Sequence, residues 1–249
     1  MLISTLAALT SFAVNESTNR AQSPISFAAR AAANYLTAKQ LHESVQTNST
    51  FAWQFARACF DRAEFSTNDT ERATLALQGI AACREILARE FTNAAAHYYL
   101  GMNLGQLART KMLGALPIVD EMEAEFKTAK LYDSAFDHAG PDRCLGLLYL
   151  DAPTLGSVGS RRKARQHLEL AAKAAPEYPE NYLNLTEAFL RWRDVAAART
   201  HFKQLEALLP AARTNLTGDA WAASWSDWDR RIKKAGKQLE QPPKPAGHR

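Results

Sequence analysis

Two primary amides, Asn181 and Asn184, lie three residues apart, and Glu187 follows at the same interval. On a helix these three share one face. An amide offers both donors and acceptors, so a pair of them can hold a peptide backbone or a carboxylate. Arg143 adds a planar cation suited to a carboxylate, and Tyr149 lies six residues on. Tyr98, Asn103, Gln106 and Arg109 form a comparable polar set in an earlier segment. This chemistry is recognition rather than bond making, with a peptide or protein as the expected partner.

A second candidate is the turn Gly156-Ser157-Val158-Gly159-Ser160, followed by Arg161, Arg162 and Lys163. Free backbone N–H groups at a helix start, together with three cations, attract phosphate or carboxylate. The same residues also read as a long turn whose Ser160 caps the next helix. The stretch lacks the Gly-Lys-Ser/Thr of a phosphate loop. Catalytic patterns are missing: there is no G-x-S-x-G, and no cysteine stands in a nucleophile motif. His97, His138, His167 and His201 are scattered without H-x-x-x-H or H-E-x-x-H spacing, so neither a metal set nor a cofactor is expected.

The elements that position these residues are helices. Ala164, Leu168, Ala171 and Pro176 recur as Ala198, Phe202, Leu205 and Pro210, offset by 34 residues at every position. That offset is the period of the tetratricopeptide repeat (TPR), a helix–turn–helix unit that stacks on its neighbours. A small alanine admits a neighbouring helix, the apolar positions fill one face, and the proline ends the second helix. The fold class expected is all-α, a TPR-like α-solenoid of stacked helical hairpins with a C-terminal capping helix. The nine polar residues above fall on first helices, which line the concave side of such a stack.

The spacing predicts helices over residues 24–45, 51–65, 71–91 and about 97–112. Further helices are expected from Pro117 to about His138, around Leu145-Gly146 and Tyr149, and from Ser160 to Pro176. The series continues with Tyr182–Arg193, Asp194–Leu209 and Gly218 to about Leu239. Leu100-Gly101 and Leu145-Gly146 mark first helices 45 residues apart, so the hairpin between them exceeds the standard length by 11. Trp221, Trp225 and Trp228 make one stripe that covers the end of the solenoid. Asn-x-Ser/Thr occurs at Asn15, Asn48, Asn68, Asn184 and Asn215; Asn48 and Asn68 read as helix caps.

The chain has 249 residues, 47% of them hydrophobic and 22% charged, the balance of a folded soluble domain. Its net charge of +4 arises from 30 basic and 26 acidic residues that are interspersed, and no nucleic-acid motif accompanies the basic run at 230–237. Cys59 and Cys83 fall on the two helices of one expected hairpin, where a disulfide is open to them in an oxidising compartment. Residues 1–23 form a signal-like or flexible segment with an apolar run over 2–14, and residues 241–249 a Pro-rich disordered tail, leaving 24–240 as the repeat domain. Export, to a periplasm for example, follows if residues 1–14 act as a signal, and a cytoplasmic location if they do not. No segment is long enough to span a membrane.

The stretches HYYLGMNLGQLARTK, AGPDRCLGLLYLDAP and RRKARQHLELAAKAAPEYPENYLNL, with the Gly/Ser turn before the last, resemble the T-component family of TRAP transporters and related bacterial TPR proteins. The chain is similar, more distantly, to the regulator of microtubule dynamics family. The resemblance covers about residues 93–210. It implies a TPR-like fold without catalysis. From the T-components it also implies a periplasmic accessory that binds a small solute beside a solute-binding protein.

Overall fold

A computed structural model describes residues 26–111 and 113–240. The segments 1–25 and 241–249 lie outside the described residues, and with them the signal-like segment and the Pro-rich tail. The described chain folds as α1 (Phe27–Ser44), α2 (Ser49–Ala63), α3 (Asp69–Leu87), α4 (Ala94–Arg109), α5 (Leu116–Tyr132), α6 (Phe136–Asp151), α7 (Arg161–Ala174), α8 (Pro179–Arg191), α9 (Val195–Asn215) and α10 (Asp219–Glu240). Antiparallel pairs α2–α3, α4–α5, α6–α7 and α8–α9 stack in order, with α1 against α2 and α10 across α8 and α9. This is the expected all-α solenoid. Among the described residues no helix is long and apolar enough to cross a membrane.

Side chains that accept from free N–H groups set the helix starts. Asn48 caps α2 through Phe51 N at 3.1 Å, Asn68 caps α3 through Glu71 N at 2.8 Å, and Asn93 caps α4 through Ala96 N at 3.0 Å. Two of these asparagines belong to Asn-x-Ser/Thr triplets, and capping explains them. Repeat positions Ala164, Leu168, Ala171, Ala198 and Leu205 are all fully buried. Gly101 is required by close packing, because a Cβ there would stand 2.6 Å from the Phe126 ring of α5.

Two details differ from the sequence expectation, and a third concerns a cysteine pairing that the sequence left open. The helix starting near Pro117 stops at Tyr132 rather than His138, because Asp137, His138 and Ala139 take left-handed backbone angles (φ 51°, 55° and 61°) at the entrance to α6. Left-handed residues in succession are costly without glycine. Pro141 then stands in the first regular turn, where its missing N–H does no harm. Pro210 does not end α9, which runs on to Asn215. Leu209, Ala212 and Leu216 around and beyond it are drawn into the packing beneath the tryptophans of α10, and this burial offsets the lost hydrogen bond. Lastly, Cys59 and Cys83 are free thiols in the core, and burial pushes the Cys59 thiol up to about 12.

His97 ties α4 to α5 and to the loop that precedes α4. Its Nδ1 lies 2.5 Å from Glu125 Oε2 and its Nε2 lies 2.7 Å from the Phe91 carbonyl. Burial alone lowers the His97 pKa, but these acceptors outweigh it and hold the value above 6.5. A raised folded pKa contributes stability that is complete below the unfolded value and is lost as pH rises through the folded one. We therefore expect the urea midpoint to fall as pH rises above about 6.5, and His97→Gln to remove most of that slope. An unchanged slope in the variant would refute the assignment.

Candidate partner-binding groove

The amides and arginines expected to line an open groove are turned to internal work. Arg143 is the hub. Its guanidinium donates to Asp137 Oδ2 at 2.6 Å, to the His138 carbonyl at 3.0 Å and to Asn181 Oδ1 at 3.4 Å, and it lies 5.0 Å from the centre of the Tyr178 ring. Tyr98 donates its hydroxyl to the same Asp137 oxygen at 2.7 Å. Burial works against the Arg143 charge, but the Tyr98, Glu180 and Asp137 oxygens prevail and raise its pKa well above the usual value. Asn181 uses its amide hydrogens on the carbonyls of His138, Ala171 and Ala175. This network holds the left-handed turn in place.

Asn184 accepts from Arg231 of α10 at 2.5 Å, and Glu187 accepts from the same guanidinium at 2.6 Å. The capping helix thus occupies the α8 face on which a partner was expected. Asn103 is fully buried against Gly79 and donates to the Ala56 and Tyr99 carbonyls. Tyr149 is buried and donates to Glu123 at 2.5 Å. Gln106 is buried too and donates to Glu64; Arg109, on the exposed side, meets the same carboxylate at 2.8 Å.

At the expected anion turn, Gly159 N donates to the Pro153 carbonyl and Ser160 N to the Tyr149 carbonyl. The Ser160 hydroxyl accepts from Lys163 N at 3.3 Å. Arg161 stacks on Trp192, and Lys163 lies over the Tyr149 ring and 3.6 Å from Glu123. Arg162 is exposed. Ser160 thus caps α7, and the Gly159 and Ser160 N–H groups are used within the turn.

Two open hollows adjoin along α2. The first holds about 460 Å³ between α2, α4, α5 and α6. Phe60, Gly101, Met102, Met122, Phe126 and Leu147 make it apolar, and Glu64, Gln106, Arg109 and Asp151 stand at its polar edge. The second holds about 440 Å³ and is walled by Arg57, Asp137, His138, Glu177 and Trp221. Its His138 ring stacks on Tyr178 with centroids 4.3 Å apart. Between the two hollows stands Asp61, one turn from Arg57 and 3.7 Å from its Nε. The Asp61 side chain is 48% exposed, so its carboxylate is partly withdrawn from water. That desolvation, with Asp137 and Glu64 nearby, outweighs Arg57 and pushes its carboxyl up to about 6.

Of the nine residues expected from the sequence, Gln106 and Arg109 reach these hollows. Arg57, Asp61, Met102, Met122, His138 and Trp221 were missed. The legible signal was Arg57-Asp61-Glu64, whose spacings of four and three put three charges on one face of a first helix.

The family model of regulator of microtubule dynamics protein 1-3 matches residues 22–114. The match lies mostly ahead of the stretch 93–210 and includes α2, α4 and part of the apolar hollow. No curated protein matches the chain in sequence. Among solved structures, TTC0263, a thermophilic TPR protein of Thermus thermophilus, superposes with a TM-score of 0.61 at 16% identity over 84% of this chain and 91% of its own. Fold and repeat pattern together make this chain a TPR-like helical repeat protein, with the regulator of microtubule dynamics match confined to its first hairpins.

Proposed function

We propose that this chain is a non-enzymatic interaction protein that takes a segment of a peptide or protein partner into the groove along α2, α4 and α6. The supporting observation is the apolar hollow of about 460 Å³ with a polar edge. Apolar hollows with a few polar groups at the rim anchor a side chain by burial and orient it by hydrogen bonds. The matched family is named for regulating microtubule dynamics, and a protein partner of that kind is in keeping with such a groove. The volume also falls in the range of small-molecule sites, and on that ground a small apolar solute, as the T-component resemblance implies, is the second reading.

The test is a substitution that makes the hollow polar at Met102, a half-buried residue that lines it and packs against Cys144. Met102→Gln is expected to weaken capture of a leucine-bearing peptide about tenfold while leaving the thermal midpoint within a few degrees. Unchanged capture would sink the reading. Loss of capture of a free apolar solute but not of the peptide would favour the second reading.

A further inference from the structure

We infer that the partner segment carries a lysine or arginine two to three residues from its apolar anchor, and that this cation pairs with Asp61. The inference rests on the apolar hollow being the anchor site. Glu64 and Phe60 border that hollow, Arg57 borders the polar cleft, and Asp61 stands between them on the same face of α2. Arg57 and Glu64 are seven residues apart, about 10 Å along the helix axis, which an extended partner crosses in about three residues.

The charge balance favours a cation. Asp137 is neutralised by Arg143, and Glu64 by Arg109. Asp61 has only the loose 3.7 Å contact with Arg57, whose side chain is 56% exposed. Glu177 adds a second carboxylate, 3.7 Å from His138. The groove is therefore locally acidic on a chain whose net charge is +4. Desolvation raises the Asp61 pKa, and the neighbouring Asp137 and Glu64 carboxylates add to it against Arg57. Trp221 and the His138 ring supply aromatic surface on which the methylenes of a long cationic side chain can rest.

The experiment uses the full chain and three dye-labelled peptides with a fixed leucine and, three residues on, lysine, glutamine or glutamate. Fluorescence anisotropy is read at about pH 7.5 and about pH 5, on either side of the Asp61 titration. The lysine peptide is expected to bind about five- to tenfold tighter than the glutamate peptide at the higher pH, with the preference shrinking at the lower. The groups facing Asp61 are Arg57, Glu64, Asp137 and the Tyr99 hydroxyl. Tyr99 and Arg57 keep one charge state across this range, and Asp61→Asn distinguishes Asp61 from the two other carboxylates. Asp61→Asn should bring the lysine and glutamate peptides to near parity and leave the leucine dependence intact. If all three peptides bind alike and Met102→Gln still weakens binding, the cation inference falls and the anchor site stands. If binding is indifferent to the leucine, both fall.

Discussion

Arg143→Ala is expected to destabilise the protein by about 2–4 kcal/mol, because it leaves the half-buried Asp137 without its cation and the buried Asn181 without a donor. Asp137 would lose its 2.6 Å bond, and Asn181 Oδ1 and the His138 carbonyl would each lose a donor. The loss falls where the backbone is left-handed for three residues, so the whole entrance to α6 loosens with it. Equilibrium denaturation in urea measures the effect. A companion pair separates the charge from the packing. Arg143→Met with Asp137→Asn removes both charges, and asparagine tolerates the left-handed conformation. The pair should recover a large part of the loss. A cost under about 1 kcal/mol for Arg143→Ala would show that this network does not hold the turn.

The second large effect is expected at Trp228. This indole is almost fully buried, edge-on to Tyr178 at 5.4 Å and to Trp225 at 5.0 Å. Removing so large a side chain from a packed site costs about 3–5 kcal/mol. Here it should also loosen α10 from α8, leaving the Arg231 network with Asn184 and Glu187 and the packing of Leu239 to hold the helix. Limited proteolysis of Trp228→Ala is expected to cut first within α10, with α2–α7 persisting as a resistant fragment. Cleavage beginning instead in the first hairpins would contradict this arrangement. Trp228→Phe retains a ring and should lose less than half as much stability.

The repeat architecture could be read from the chain because it rests on spacing. The 34-residue offset of small and apolar residues reports directly which faces pack, and the alanines and leucines at these positions are buried, with Phe202 half-buried. Polar residues on inward faces were less legible. Asn181 and Asn184 share a face, as their spacing indicates, yet one serves backbone carbonyls and the other receives Arg231 from a helix 47 residues further along. Sequence spacing assigns a face to a residue without saying what already covers that face. The left-handed turn was hidden for a related reason. Asp137, His138 and Ala139 have no intrinsic preference for it, and it exists because Arg143, Tyr98 and Asn181 converge on it from three helices. Arg57 and Asp61 have the spacing of an ordinary solvent-facing ion pair, and that spacing does not tell that Arg57 borders a cleft formed with α6 and α10.

The curvature of the stack brings the two ends of the described chain together. Arg30 on α1 donates to the Asp219 carbonyl at the start of α10 at 2.7 Å, and its charge lies 3.3 Å from the Asp219 carboxylate. An open solenoid behaves as a spring whose units flex independently, each feeling only its neighbours. This contact spans 189 residues and turns the spring into a closed hoop. The clasp is weak, since an exposed ion pair contributes about 1 kcal/mol or less and salt screens it. The hoop can therefore part at its clasp while every hairpin stays folded.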